Sequence, residues 1–419
     1  MKKKIFVISI IVLIILLLGG GIYFFKDNIK GFIKTEKKEE KINYLDYFYE
    51  SIETDNNKKL YKLDNNNFTE IGELSSNVIL SLEKDEYLDK GYFKIKDSDY
   101  YIDYKDIKEN TNVEEIDNSW KNYIPFNESI KSDKIKLYLE DKLIYSLNEE
   151  MTLPIIYKYN DSYGVVYKDR IYKVLKNEVD VIENNNTDLK HTSGISALVY
   201  HATYDHTNND EKIRCKDANS VICLSDTQFD EQMKYLRDNN FYTATMKDLE
   251  LFIDGVVQLP EKTVVVTIDD GYYLDAAAKV LEKYELHATV FLIGDLMNVD
   301  KWKTDAFYSK SIELHSHTYN RHTPGRCPGG QGSIMKCGDK EDLLADLKKS
   351  REQLNGTTVF CYPFFEYNDY AINILKEAGF TMAFAGGRQK IKVGSNKMTL
   401  PRYGVVSTST LNDFKNIVN

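Results

Sequence analysis

Two groups of residues have the types and spacing to do hydrolytic chemistry. The first is Thr267-Ile268-Asp269-Asp270-Gly271, adjacent carboxylates at the end of the apolar run Thr263–Ile268. Such neighbours are costly to hold together unless a cation or a proton shares them. A turn at Gly271 lets them take different jobs, one binding a metal and the other accepting a proton from water. His317 lies 47 residues beyond Asp270, in Glu313-Leu314-His315-Ser316-His317-Thr318-Tyr319-Asn320-Arg321-His322, which holds three of the seven histidines. His317 and His322 are five apart, about 140° on a helix, so they cannot share a helical face. A strand end and the loop after it would let them converge. Two neutral imidazoles and one carboxylate make a three-ligand site with room for water, the arrangement of a catalytic divalent metal. His315 shares the strand face of His317 and competes as a ligand, with support or packing the favoured role. Each group alone is ordinary: Asp-Asp-Gly is common turn chemistry, and polar histidine loops are commonly solvated surface.

The elements that must position these groups follow from periodicity. From Ile195 onward apolar strands alternate with amphipathic helices. Strands are expected at Ala197–Tyr200, Thr263–Ile268, Ala288–Ile293, Thr358–Tyr362 and Thr381–Phe384. Helices are expected at Asp226–Asn239, where Phe229, Met233 and Leu236 share a face, and near 276–284, 342–354 and 370–378. This alternation predicts a parallel α/β sheet, with a closed barrel as one solution and the working residues at the C-terminal strand ends.

Both groups, in this setting, carry a family resemblance. The segment from about Ser196 to Asn419 resembles the polysaccharide deacetylase domain of carbohydrate esterase family 4, a distorted (β/α) barrel. Asp269-Asp270 match its T-F-D-D-G motif with Ile268 for Phe, which implies Asp269 as general base and Asp270 as metal ligand. His317-Thr318 match the start of its histidine motif. The second histidine stands five residues on, at His322, rather than four, where Arg321 sits. That spacing is similar to the subgroup acting on poly-N-acetylglucosamine, so the ligand role passes to His322. Leu198-Val199-Tyr200-His201 looks like the first-strand Y-H motif and implies a substrate contact for His201. Cys361-Tyr362-Pro363-Phe364-Phe365-Glu366-Tyr367 resembles Y-P-[YF]-G-x-Y, with Phe365 in place of the glycine. The resemblance implies that the Phe364 N–H serves the oxyanion and that Tyr362 and Pro363 contact substrate. Leu400-Pro401-Arg402 is similar to the L-P-R ending of some members, where Arg402 would orient Asp269 or hold the sugar. No histidine follows His322, so the family's late leucine-x-histidine motif has no counterpart.

The implied activity is hydrolysis of the N-acetyl group of a polysaccharide by a divalent metal of the Zn²⁺ class on Asp270, His317 and His322. Peptidoglycan N-acetylglucosamine is the first expected substrate and poly-N-acetylglucosamine the second. A wall-binding protein whose barrel has lost activity is the reading from another class, supported by the missing histidine and by Phe365.

The remainder of the 419 residues bears on location and partners. Lys2–Lys4 precede Ile5–Phe25, 21 residues without a charge and long enough to cross a bilayer core. With no convincing cleavage site after it, this run is expected to be a retained single-pass anchor, with residues 1–4 cytoplasmic and the body extracytoplasmic. A charged stalk follows at 26–41. Residues 42–182 are Tyr-rich, alternate like β-structure and repeat with an offset of 70–80 residues, as two modules whose hairpins resemble bacterial SH3-like barrels. Their tyrosines either pack as strand residues or stack on sugar rings, packing being the stronger expectation. A polar linker at 183–194 leads into the 195–419 domain. The net charge of −10 excludes a general nucleic-acid partner, which needs a basic face. Cys215/Cys223 and Cys327/Cys337 are close pairs that can form short disulfide loops outside the cytoplasm, although spacing leaves the connectivity open. Cys361 reads as a buried strand thiol.

Overall fold

The computed structural model describes residues 42–111, 117–184, 190–217, 221–296 and 310–419. The expected anchor and stalk, and the middle of the linker, lie outside these residues. Among the described residues no helix is long and apolar enough to cross a membrane.

The half from Ile195 onward is built on the strand Thr263–Asp270, whose β-branched run Thr263–Ile268 is buried on both faces. Val264, Val266 and Ile268 face an outer cluster with the helices Asp226–Asp238 and Leu274–Lys283. Val265 faces the opposite way, into an inner cluster with Phe291, Cys361 and Phe384. The sheet runs Met382–Phe384, Val359–Cys361, Ile312–Ser316, Ala288–Leu292, Thr263–Asp270, Ser196–Tyr200 and Tyr403–Gly404, and every pairing is parallel. The sheet curls until the segment around Arg402 touches both edges: Leu400 bridges Phe384, and Tyr403–Gly404 pair with Leu198–Val199. Register brings the strand ends level, with Asp270 beside Leu292 and Leu292 beside Ser316. Asp270 and His317 therefore meet at one rim.

The described part of the region before this sheet is mostly β, with four short 3-10 turns. The hairpin Lys58–Asp64/Asn67–Leu74 corresponds to Ile135–Leu139/Lys142–Leu147, and Tyr92–Ile95/Tyr100–Asp103 to Ser162–Tyr167/Arg170–Leu175. Asn65-Asn66 and Lys168-Asp169 both turn with two successive positive φ values, as two-residue hairpin loops require. The halves join through Tyr145–Leu147 pairing with Gly72–Leu74 and share one apolar cluster. Tyr100, Tyr145, Tyr167 and Tyr172 are buried within that cluster.

This β region packs against the half that holds the parallel sheet. Tyr123, Ile156 and Tyr157 pack in one cluster with Leu249, Phe252, Ile253 and Leu259. The N–H groups of Ile124 and Lys158 donate to Gln258 O and Val256 O at 2.8 and 2.9 Å. Asp248, in the capping box of the Met246–Ile253 helix, also accepts the hydroxyls of Tyr123 and Tyr242, each at 2.6 Å. Tyr242 pairs with Thr263, so the contact is at the N-terminal end of the sheet. The length of the Thr263–Asp270 strand, roughly 25 Å at about 3.3 Å per residue, separates it from the rim. Tyr123→Phe is expected to destabilise the chain by about 1–2 kcal/mol, the cost of a lost hydrogen bond to a buried carboxylate. A urea midpoint that does not move would refute that.

Candidate metal centre

Strand alternation turns Thr267 and Asp269 inward, toward Arg402. The guanidinium donates to Asp269 Oδ1 at 2.6 Å and Oδ2 at 2.8 Å, to Thr267 Oγ1 at 2.9 Å, to Cys361 Sγ at 2.8 Å and to Ala385 O at 3.4 Å. The Cys361 thiol lies 3.3 Å from Asp269 Oδ2. Asp269 is 1 % and Arg402 2 % exposed. Burial alone would raise the Asp269 pKa, but the Arg402 guanidinium, with His317, overrides it and holds the carboxyl well below the usual carboxylate range. Of the two roles expected for Arg402, only orienting Asp269 fits an enclosed guanidinium. Thr267 and Cys361 complete the arrangement; only the strand period, which puts Thr267 on the face of Asp269, pointed to either of them.

Asp270 departs from the strand with φ of 67°, which turns its carboxylate away from its neighbour and toward the histidines. Its Oδ1 lies 3.5 Å from His317 Nε2 and 3.6 Å from His322 Nε2, and it is buried without a hydrogen-bond partner. Burial, then the nearby Asp269, push its pKa up to about 7. His317 uses Nδ1 to donate to Cys361 O at 2.8 Å, which leaves the Nε2 lone pair facing Asp270. Burial pulls the His317 pKa down to about 3 and lowers that of His322. An orphaned carboxylate oxygen and two neutral imidazoles, all within 4.8 Å of one another, fit a divalent cation. Asp269, His317 and Cys361 also lie together, but Arg402 already occupies that carboxylate and thiol.

The turn after Tyr362 covers the site. Phe364 packs against His322 at a tilt, with ring centres 4.4 Å apart, and Phe365 lies 5.3 Å from the Arg402 guanidinium and 6.2 Å from the His201 ring. Both phenylalanines have positive φ, 59° and 62°. The second value shows why a glycine suits that place in the motif. The Phe364 N–H makes no hydrogen bond among the described residues. Tyr362 and Pro363 stand otherwise than expected. Tyr362 is fully buried with Phe360 on the outer side of the sheet, its hydroxyl donating to Met398 O, and Pro363 is buried too. They brace the turn and present no surface to a sugar. His201 is half-buried, with its pKa lowered by burial.

His315 faces away from Asp270, bonding Thr357 through Nδ1 and lying 3.5 Å from Glu313 Oε2. Glu313 also accepts from Met246 N–H and the Thr289 hydroxyl, each at 2.7 Å, and approaches His287. Cys215 pairs with Cys223 and Cys327 with Cys337, while Cys361 is free and buried.

A curled parallel α/β sheet with carboxylates and imidazoles gathered at its carboxyl rim defines the class: a hydrolase-type barrel with a candidate metal site. Residues 257–383 match the polysaccharide deacetylase family, a family of amide hydrolases, and the chain carries a polysaccharide deacetylase domain. It is 33 % identical to YxkH of Bacillus subtilis (strain 168), named for the same family, over 37 % of this chain and 56 % of that protein. It is 25 % identical to the poly-beta-1,6-N-acetyl-D-glucosamine N-deacetylase of Escherichia coli (strain K12), over 44 % of this chain and 34 % of that one. Among solved structures, the Streptococcus pyogenes deacetylase PplD in complex with acetate aligns with 54 % of this chain and 98 % of its own, at 19 % identity and a TM-score of 0.45. The chain thus spans about half the length of one curated relative and a third of the other.

Arg402→Met leaves the Asp269 charge buried and unpaired, and is expected to cost about 3–5 kcal/mol at pH 7. The folded Asp269 pKa lies below its unfolded value of about 3.9. The pair's stabilisation is therefore full above that value and lost as pH falls through the folded one. The gap between wild type and variant should narrow below about pH 4, as read by denaturant titration across pH; a gap that widens there would contradict this account.

Proposed function

We propose that this chain is an N-deacetylase acting on N-acetylglucosamine units of a cell-envelope polysaccharide. The observation that carries the reading is the unpartnered Asp270 Oδ1 facing two imidazole Nε2 atoms, next to a second carboxylate kept ionised by Arg402. A divalent ion of the Zn²⁺ class, held by Asp270, His317 and His322, would polarise the acetamide carbonyl and lower the pKa of the attacking water. Asp269 accepts a proton from that water. The Arg402 contact keeps it in base form at any working pH and fixed in place. The free Phe364 N–H offers a donor to the oxygen on which negative charge develops. Phe364 also caps one edge of His322 and limits that ring's movement.

Two observations favour poly-N-acetylglucosamine as the polymer: the five-residue step from His317 to His322, and the relation to the Escherichia coli enzyme named for it. Peptidoglycan is the second reading, favoured by the uncharged run Ile5–Phe25 behind three lysines. That run supports an anchored protein working outside the membrane, next to the wall.

Acetate release from the two polymers by the purified chain tests the proposal and ranks the substrates; release from neither would leave a binding protein as the better reading. Asp269→Asn should keep its metal and lose 10²- to 10⁴-fold in rate, roughly the worth of a general base. His317→Ala and His322→Ala should lose metal and activity together. Loss of metal in Asp269→Asn would overturn the division of labour between the aspartates.

A further inference from the structure

The turn at Phe364-Phe365 places two successive bulky residues in the left-handed region, a conformation that persists only where its surroundings enforce it. Its internal hydrogen bonds are two, from Phe365 N–H to Tyr362 O at 3.0 Å and from Glu366 N–H to Pro363 O at 3.1 Å. A further restraint, from outside the turn, comes through Glu366. Its Oε1 accepts the Gln331 N–H, and its Oε2 accepts the Ser333 N–H and the Lys336 ammonium, both at 2.9 Å. Lys336 spends further donors on Pro328 O at 3.1 Å and Gly329 O at 2.7 Å. Gly330 has φ of 61°, and a side chain there would collide with Glu366 Oε1. The donor loop is itself closed by the Cys327–Cys337 disulfide and tied again by Asn368 Nδ2 to Lys336 O and the Tyr370 hydroxyl to Gly338 O. It follows His322 directly in the chain. It also returns to that stretch through Ile334 N–H to Thr323 O at 3.3 Å.

We propose that Glu366 is a positioning residue for the deacetylation site, locking the strained Phe364-Phe365 turn to the disulfide-closed 327–337 loop. The inference rests on the deacetylase reading above. Glu366 touches neither Asp270 nor Asp269. It acts through the turn, which sets the Phe364 N–H, the ring on His322 and the ring over Arg402. A donor that serves the developing charge acts in the transition state more than on bound substrate, so its displacement lowers kcat with little change in KM.

The test uses the full chain as Glu366→Gln, which keeps shape but loses the charge facing Lys336, and Glu366→Ala. The second comparison is Cys327→Ser/Cys337→Ser, alone and combined with Glu366→Ala. The expected result for Glu366→Ala is a fall of about tenfold or more in kcat, with KM within about twofold and metal content at the wild-type level. Amide exchange should quicken in 329–337 and 362–368 together. Glu366→Gln should show the same pattern to a smaller degree, which keeps the test open if the alanine variant folds poorly. Because both changes open one clamp, the triple variant should lose little beyond the greater of its parents. Wild-type kcat in Glu366→Ala, or fully additive losses in the triple variant, would overturn the proposal. Should the wild-type chain release no acetate, the deacetylase reading fails and the exchange data judge the clamp alone. Coupled loss of protection in both segments would uphold it, and loss confined to 329–337 would overturn it.

Discussion

The bidentate pair between Arg402 and Asp269 is the constraint around which the catalytic half is arranged. Taking a carboxylate and a guanidinium out of water is expensive, and their attraction offsets it only if the remaining donors and lone pairs are also satisfied. Here every guanidinium nitrogen has a partner, drawn from two strands and from Ala385. Thr267 in turn donates its hydroxyl to Leu198 O at 2.7 Å. The pair therefore fixes strand register as well as a side-chain pose. Arg402 lies on the short segment that touches both sheet edges, so closing the curl and seating Asp269 are one event. A lysine could not serve, because the site uses the planar fork in two directions at once.

The same pair explains why two chain neighbours have opposite electrostatics. Asp269 has the only guanidinium in the inner layer among the described residues, and is fully ionised. Asp270, turned out by its positive φ, has no protein cation, and it feels both burial and the charge of Asp269. Its surroundings leave it short of a positive charge, and the two nearby histidines cannot supply one because burial keeps them neutral. That deficit, more than the residue types, is what makes a divalent cation the fitting occupant.

Much of this was legible in the sequence, and the rest fails for identifiable reasons. Period-2 and period-3.6 patterns located the expected strands and helices to within a residue or two, because each buries one face in a repeating way. The expected helix near 342–354, for instance, runs Lys340–Gln353. Residue type and spacing singled out the two aspartates and the histidine cluster, and the family resemblance chose Asp270, His317 and His322 as the candidate ligands. Arg402 was recognisable but its partner was left open, since 133 residues separate it from Asp269 and no local pattern encodes such a contact. Tyr362 is the instructive miss. Alternation along Val359–Cys361 puts Val359 and Cys361 in the inner cluster and Phe360 outside, so the next residue must face the helices. The period was readable, and a role carried over from the motif obscured it. The helix Met246–Ile253 and its contact with the β region were missed because a short helix that caps a domain interface has a local pattern no different from any buried one.

Strand polarity keeps attachment and chemistry apart. The β region docks where the strands begin, through Asp248, Val256 and Gln258, whereas the carboxylates and imidazoles gather where they end. One strand, Ile312–Ser316, reaches both: Glu313 near its start ties Met246 of the docking helix to Thr289, and His317 just beyond its end joins Asp270. Side chains alternate, so Glu313, His315 and His317 point inward as successive layers of one stack. The lower layers are filled by carboxylate–imidazole contacts made within the protein, and only the top layer keeps a carboxylate oxygen without a partner. The candidate site sits at the rim because there, in this stack, a carboxylate oxygen without a partner faces two imidazole nitrogens.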